Sequence, residues 1–227
     1  MKNICIIPAR SGSKRIKNKN TIKFFGKPLI YRAISAAKKS KLFSNIYIST
    51  DSKKIIKISN NSGVKFLKRS KKFSSDNATI HNVVQESIFM LKNNGEKFNN
   101  VCCILPTAAL INYKNLVKCY RLLVSKKVNF VIPVSRFSYP PQRGLKLKNK
   151  KIYMIKKNNY NINSQKFEKI YHDAGQFYWG TAKGFINNKS TFNGDALGFI
   201  LKPSEVQDID DSDDLKIAKM KFKHLYK

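Results

Sequence analysis

An α/β fold, with a mainly parallel sheet flanked by helices, is predicted by three features of the chain. Short apolar runs that read as buried strands recur at residues 4–7, 46–48, 64–67, 101–105 and 130–134. Between them lie stretches whose apolar residues repeat at helical spacing. The first three strands and their two helices fill roughly 65 residues, a β-α-β-α-β order whose right-handed crossovers make neighbouring strands parallel.

The first strand, Ile4-Cys5-Ile6-Ile7, is stopped by Pro8 and followed by a small-residue turn that carries Arg10, Lys14, Arg15 and Lys19. Ser11, Gly12 and Ser13 let the backbone approach a ligand, so that main-chain N–H groups and nearby cations surround an anion together. The plain alternative is a solvated basic turn. Position favours the cradle, because the loop leaving the first strand of an open α/β sheet is the usual phosphate holder. The spacing of a P-loop is absent.

Gly26-Lys27-Pro28 closes this loop, and Pro28 suits the first turn of a helix with Leu29, Ile30, Ala33, Ile34 and Ala37 on its apolar stripe. The second strand ends at Ser49-Thr50-Asp51, where Asp51 or Ser52 is expected to cap the helix bearing Ile55, Ile56 and Ile58. After the strand at 64–67 comes a long polar loop, and loops of that length in a compact domain are often functional. Arg69 and Asp76 are its informative residues, with a surface Arg and a helix cap as the competing readings. Ile80, Val83, Val84, Ile88 and Leu91 mark the next helix. Residues 101–105 form the most continuously apolar strand, hence a central one, and its exit Pro106-Thr107-Ala108-Ala109 is small enough for a flat base or sugar to lie close.

From about 136 to 173 the pattern breaks into Pro140-Pro141 and Lys-Asn clusters, which predicts loops or an excursion from the sheet. Tyr171-His172-Asp173-Ala174-Gly175-Gln176-Phe177-Tyr178-Trp179-Gly180 is expected to line the second half of a pocket. Near the end, Val206-Gln207-Asp208-Ile209-Asp210 reads as a strand whose alternation sends Asp208 and Asp210 to one face, a place for Mg²⁺ if phosphates complete its shell. Asp211, Asp213 and Asp214 are read as caps of a last helix with Leu215, Ala218, Phe222 and Leu225 on its face.

A chain of 227 residues that is 42% hydrophobic supports one core, so 1–227 is read as a single domain. No apolar run is long enough for a membrane span, and the cysteines (Cys5, Cys102, Cys103, Cys119) lack metal-site spacing, which predicts a cytoplasmic protein. The net charge of +32 raises the rival of a nucleic-acid binder. The distribution argues against it: lysines are spread over nearly every segment with no stripe, and arginine, the residue of bidentate contacts, is rare. Arg10, Arg15 and Arg69 are kept in the loops suspected of holding a nucleotide.

Pro8-Ala9-Arg10-Ser11-Gly12-Ser13-Lys14-Arg15, the Lys19-Asn20 pair, Ser49-Thr50-Asp51, Arg69 with Ser75-Asp76, and Gln207-Asp208-Ile209-Asp210 together resemble the sugar-acid cytidylyltransferases, the CMP-sialic acid synthetase group. The likeness runs over essentially the whole chain in order, and the segment 171–180 resembles the branch that activates pseudaminic acid. The resemblance implies a Rossmann-like nucleotidyltransferase fold in which CTP and a nine-carbon keto sugar acid give a CMP-sugar and pyrophosphate. It assigns Arg10, Lys14 and Lys19 to the triphosphate with Ser13 and Asn20 assisting, and Arg69 to the nucleotide; Ala9, Ser11 and Gly12 of the small-residue turn and Asp76 of the polar loop are added as nucleotide contacts from the residues themselves. By the resemblance Asp208 and Asp210 would bind Mg²⁺; His172, Asp173, Gln176 and Tyr178 are read from the pocket-lining 171–180 segment itself as substrate contacts. It also implies a homodimer formed through the excursion, taken as about 136–180. N-acetylneuraminic, legionaminic and shorter keto-deoxy acids stand as alternative acceptors. The chain departs from the family at Ser70, where proline is usual, at Lys17, and at Leu105-Pro106-Thr107, where the sialic branch has a glutamine near the base.

Overall fold

The computed structural model describes residues 2–12, 16–75, 78–192 and 194–226. β1 (Asn3–Pro8) is buried almost throughout and leads, past the first loop, to a small antiparallel hairpin of β2 (Lys23–Phe24) and β3 (Lys27–Pro28). α1 (Ile30–Ser40) follows. Pro28 does not enter the first helical turn as expected. It pairs with Lys23, and the Leu29 amide donates to Ile22 O (2.9 Å), so the hairpin closes before the helix begins.

β4 (Asn45–Thr50), α2 (Lys53–Asn61) and β5 (Lys65–Lys68) complete the expected β-α-β-α-β unit, with β1, β4 and β5 mutually parallel. α3 (Ile80–Asn93) starts at Thr79, whose hydroxyl accepts from the Asn82 amide. β6 (Asn100–Ile104) lies parallel to β1 and is buried at every position, the centre that its unbroken apolar run predicts. α4 (Tyr113–Lys126) is capped by Asn112 and leads to β7 (Phe130–Arg136).

The chain then leaves the sheet for the hairpin of β8 (Leu145–Lys148) and β9 (Lys151–Met154). It returns as β10 (Tyr171–Asp173) and β11 (Phe177–Thr181), so the part outside the sheet covers 137–170 and is shorter than the expected 136–180. β11 inserts antiparallel between β6 and β7. α5 (Ala182–Asn187) crosses to β12 (Ala196–Leu201), which pairs parallel with β7, and α6 (Ser212–Leu225) ends the chain. Among the described residues the sheet runs β10-β7-β11-β6-β1-β4-β5, with β12 on the other edge of β7.

Strand alternation divides the core between the two faces of this sheet. Cys5 and Ile7 pack with Ala33, Leu116 and Trp179 on the α1 and α4 side, while Ile4 and Ile6 pack with Val84, Ile88 and Phe185 on the α3 side. Each such fully buried large side chain contributes about 2–3 kcal/mol by leaving water. Trp179 also satisfies its indole N–H on Leu116 O (3.1 Å). Gly180 has no room for a Cβ, which would lie 2.7 Å from both Phe130 and Phe185. Residues 206–210 form no strand, contrary to expectation. They have no ladder partner and run as an extended segment between Glu205 and α6.

Candidate active site

A cleft of about 500 Å³ opens beyond the carboxyl ends of β1 and β6, where an open α/β sheet presents its ligand site. Arg10, Lys19, Asn20, Arg69, Asp208 and Asp210 all line it. Residues almost two hundred positions apart in the chain are therefore brought to one place.

The loop after β1 is fastened at several points. The Ala9 amide donates to Ser49 O (2.9 Å), and the Ser11 amide and hydroxyl both donate to the Asp51 carboxylate (2.9 Å each). The Asp51 carboxylate is committed to the loop and is not a helix cap; Ser52 takes the N-cap position of α2 without a side-chain capping bond. Asn20 Nδ2 donates to Arg10 O (3.0 Å) and closes the loop on its far side. Ala9, Ser11 and Gly12 thus shape the loop behind Arg10 rather than line the cleft. Ser13, Lys14, Arg15 and Asp76 lie outside the described residues.

Arg69 is buried, with Nη2 donating to Ser49 O (2.8 Å) and Nε to Ser49 Oγ (3.2 Å). Burial lowers its pKa, Asp51 and Glu86 oppose that shift, and the neighbouring Arg10 adds to it. Guanidinium stays charged regardless, so two positive charges face one cavity.

Lys19 Nζ reaches the other wall, donating to Ile209 O (2.5 Å) and Asp210 Oδ1 (3.1 Å). Asp208 and Asp210 both face the cleft while Ile209 is buried with Phe24, Leu29 and Ala218. The alternation that the sequence predicts holds without a β-ladder, because the buried Ile209 anchors the segment between them. Loss of solvent and the Asp210 charge push the Asp208 carboxyl above the usual carboxylate range, with Lys19 and the Ile209 amide pulling the other way.

The 171–180 segment divides. Tyr178 donates to Asp173 Oδ2 (2.5 Å), and Asp173 Oδ1 accepts from the Gly175 amide, whose residue adopts φ 60° beside Asp208. Burial and the Asp173 and Asp208 charges push the Tyr178 phenol well up, so it remains a donor. Tyr178 also borders a second cavity of about 350 Å³ with Thr79, Phe185 and Phe192, and Ile80 lines both cavities. His172 and Gln176 line neither cavity. The ring of His172 rests edge-on against Phe137 with Nδ1 at the Asp173 carbonyl, and Gln176 is buried with Nε2 donating to Glu205 O (2.6 Å). Phe73, which the sequence does not single out, and Ile80, expected only as part of a helix face, form an apolar wall of the cleft. An aromatic inside a polar loop was the available signal.

Residues 4–190 match the family model described as Cytidylyltransferase. The chain is 39% identical over 225 residues to a pseudaminic acid cytidylyltransferase of Campylobacter jejuni subsp. jejuni serotype O:2, covering 98% of this chain and 97% of that one. It is 26% identical over 218 residues to an N-acylneuraminate cytidylyltransferase of Escherichia coli O18:K1:H7, covering 96% of this chain and 51% of the relative. In fold it matches a CMP:2-keto-3-deoxy-manno-octonic acid synthetase solved with CTP, with a TM-score of 0.74 at 14% identity over 99% and 100% of the two chains. With a matching family model over most of its length and a full-length relative at this identity, the chain belongs to the cytidylyltransferase family and is a nucleotidyltransferase.

Proposed function

We propose that the protein transfers CMP from CTP to the anomeric hydroxyl of a nine-carbon keto sugar acid, pseudaminic acid above the other acceptors, releasing pyrophosphate. The observation that carries this reading is the convergence of Arg10 and Arg69 with Asp208 and Asp210 on one cleft. The acceptor choice rests on the full-length likeness to the Campylobacter jejuni protein.

In this reading the triphosphate lies against Arg10 and Arg69, whose charges offset the negative charge that accumulates on departing pyrophosphate. Positioning and neutralisation carry the rate, since phosphoryl chemistry asks little covalent work of the protein. Leu105, Thr107 and Phe73 offer the base a largely apolar bed. The sugar acid enters from the second cavity, where Tyr178 and Phe192 give apolar surface for its substituents and the Asp173–Tyr178 pair shapes the junction. His172 and Gln176 serve this site only at a distance, by holding the connection between the β10 end that bears Asp173 and the β11 strand that bears Tyr178.

The donor set at Asp208 and Asp210 fits Mg²⁺. Among the described residues no group of three or more His, Cys, Asp or Glu is assembled to hold a metal unaided. Mg²⁺ commonly takes one or two carboxylates and completes its shell with phosphate oxygens and water. The Asp208 pKa is raised first by lost solvent and then by the Asp210 charge, and a dication between the two carboxylates would offset that second part. When bound, Mg²⁺ supplies charge neutralisation and polarisation of phosphate oxygens. Lys19 keeps Asp210 aimed at that position.

A homodimer is part of the proposal, supported by the β8–β9 hairpin, whose Leu145, Leu147 and Ile152 are exposed on one face. Sedimentation of a Leu147→Glu/Ile152→Glu variant should give a monomer where the native chain gives a dimer; two dimers, or a native monomer, would remove this part. A cytoplasmic setting is likewise proposed, supported by four free, buried thiols. The function itself is tested by supplying CTP with each purified sugar acid in turn and measuring pyrophosphate. Pseudaminic acid should give a kcat/KM at least ~10-fold above N-acetylneuraminic acid, the scale of a few contacts in a shaped pocket. Preference for another acid would overturn the acceptor, and no release with any acid would overturn the reaction.

A further inference from the structure

Asp208 and Asp210 sit on a segment with no strand partner, so something other than a β-ladder must fix its backbone. The structure supplies a set of side-chain bonds from α6. Lys221 Nζ donates to Val206 O (2.7 Å), Pro203 O (3.1 Å) and Gln207 Oε1 (3.1 Å), drawing together the stretch just before Asp208. Gln207 Nε2 in turn donates to Asp208 O (3.0 Å) and Asp214 Oδ1 (3.0 Å). The second Asp214 oxygen accepts from the amides of Asp210 (2.9 Å) and Asp211 (3.2 Å).

We propose that Lys221 and Asp214 are positioning residues for the Asp208/Asp210 pair, holding through Gln207 and the local backbone the spacing at which the two carboxylates meet a divalent cation. The inference rests on the metal reading given above. It adds that α6 sets the affinity of the site although neither Lys221 nor Asp214 lines the cleft. Three donors on one ammonium can satisfy three acceptors at once, which a methionine of similar length cannot. Without them, the carbonyl of Val206 turns to water, Pro203 O keeps only the Val206 amide (3.3 Å), and the segment gains freedom that metal binding must then remove.

The test titrates Mn²⁺ into protein mixed with equimolar CTP and follows water-proton relaxation, which distinguishes protein-bound from CTP-bound Mn²⁺. Lys221→Met should weaken Mn²⁺ binding by ~10-fold, the scale at which outer partners of metal ligands act. It should raise the metal concentration for half-maximal rate in step, while KM for CTP at saturating metal changes by less than ~2-fold. Lys221→Arg should recover most of the affinity, and Lys221→Gln should fall between, which keeps the test open if the methionine variant folds poorly. A variant that melts lower but binds Mn²⁺ as the native chain does would leave Lys221 purely structural and overturn the inference. Asp208→Asn is the control for the underlying reading. If the native chain and Asp208→Asn bound Mn²⁺ alike, the metal assignment itself would fall, and the inference with it.

Discussion

Asp208→Asn is expected to lower CMP transfer by at least ~10³-fold, about 4 kcal/mol of barrier, while raising the melting temperature of the ligand-free protein. The two effects share one cause. The folded Asp208 carboxyl has a pKa above its unfolded value, chiefly through lost solvent and the charge of Asp210. A native state that holds its proton more tightly than the unfolded chain loses stability as pH rises from the ordinary carboxylate pKa through the raised folded one. Above that window the ionised carboxylate is a standing cost of the fold, a small one because Asp208 is exposed and screened by water. Asparagine is neutral, matches the shape, and keeps an oxygen for the Ile209 amide that Asp208 Oδ1 now accepts (2.8 Å). Pyrophosphate release at saturating Mg²⁺, with melting curves at pH 4 and pH 8, checks both halves. The stabilisation should be present at pH 8 and shrink toward pH 4. Retained turnover would refute the role of the carboxylate, and a lower melting point at pH 8 would refute the electrostatic account.

Arg69→Ala is expected to cost both stability and nucleotide affinity. The side chain is 6% exposed and braces the end of β4 through Ser49. Its removal leaves one fewer donor for Ser49 O, leaves Ser49 Oγ without this partner, and opens a cavity, together about 2–4 kcal/mol. Ser49 O also accepts from Ala9, so slack at β4 is passed to the loop that presents Arg10. CTP affinity should fall by ~100-fold, the scale of losing one desolvated charged contact to phosphate. Denaturant melts and calorimetric CTP titration separate the two. Unchanged stability would deny Arg69 its bracing role, and unchanged CTP affinity at full folding would deny it a place at the nucleotide.

What the sequence disclosed follows from where each signal resides. The β1, β4, β5 and β6 ladder was legible because each strand is a short apolar run with a helical repeat beside it. Arg10 and Arg69 were legible because each lies just past a strand, where the open sheet gathers its ligand loops, and Lys19 because it belongs to the same loop as Arg10. The antiparallel insertion of β11 between β6 and β7 was not, since Trp179 opposite Cys102 on one side and Val131 on the other is a long-range pairing that no local pattern encodes. Of the two expected caps, Ser52 takes the N-cap position, while Asp51 serves the first loop: an acidic residue before a helix is a good cap in isolation, but Ser11, forty residues earlier, takes its carboxylate. Gln176 looked like a ligand residue in a polar and aromatic segment, yet its amide is spent on Glu205 O inside the protein. The 206–210 segment kept the predicted alternation for a different cause, the burial of Ile209 and the bonds from Lys19 and α6 in place of a strand partner.

The central claim is that cations leaving β1 and β5 and acids arriving before α6 hold the same nucleoside triphosphate. A crystal grown with CTP and Mn²⁺, with an anomalous difference map recorded for the metal, tests this most directly. The triphosphate is predicted between Arg10 and Arg69 on one wall and a manganese peak at Asp208 and Asp210 on the other. A nucleotide seated elsewhere, or a metal peak remote from both carboxylates, would contradict it.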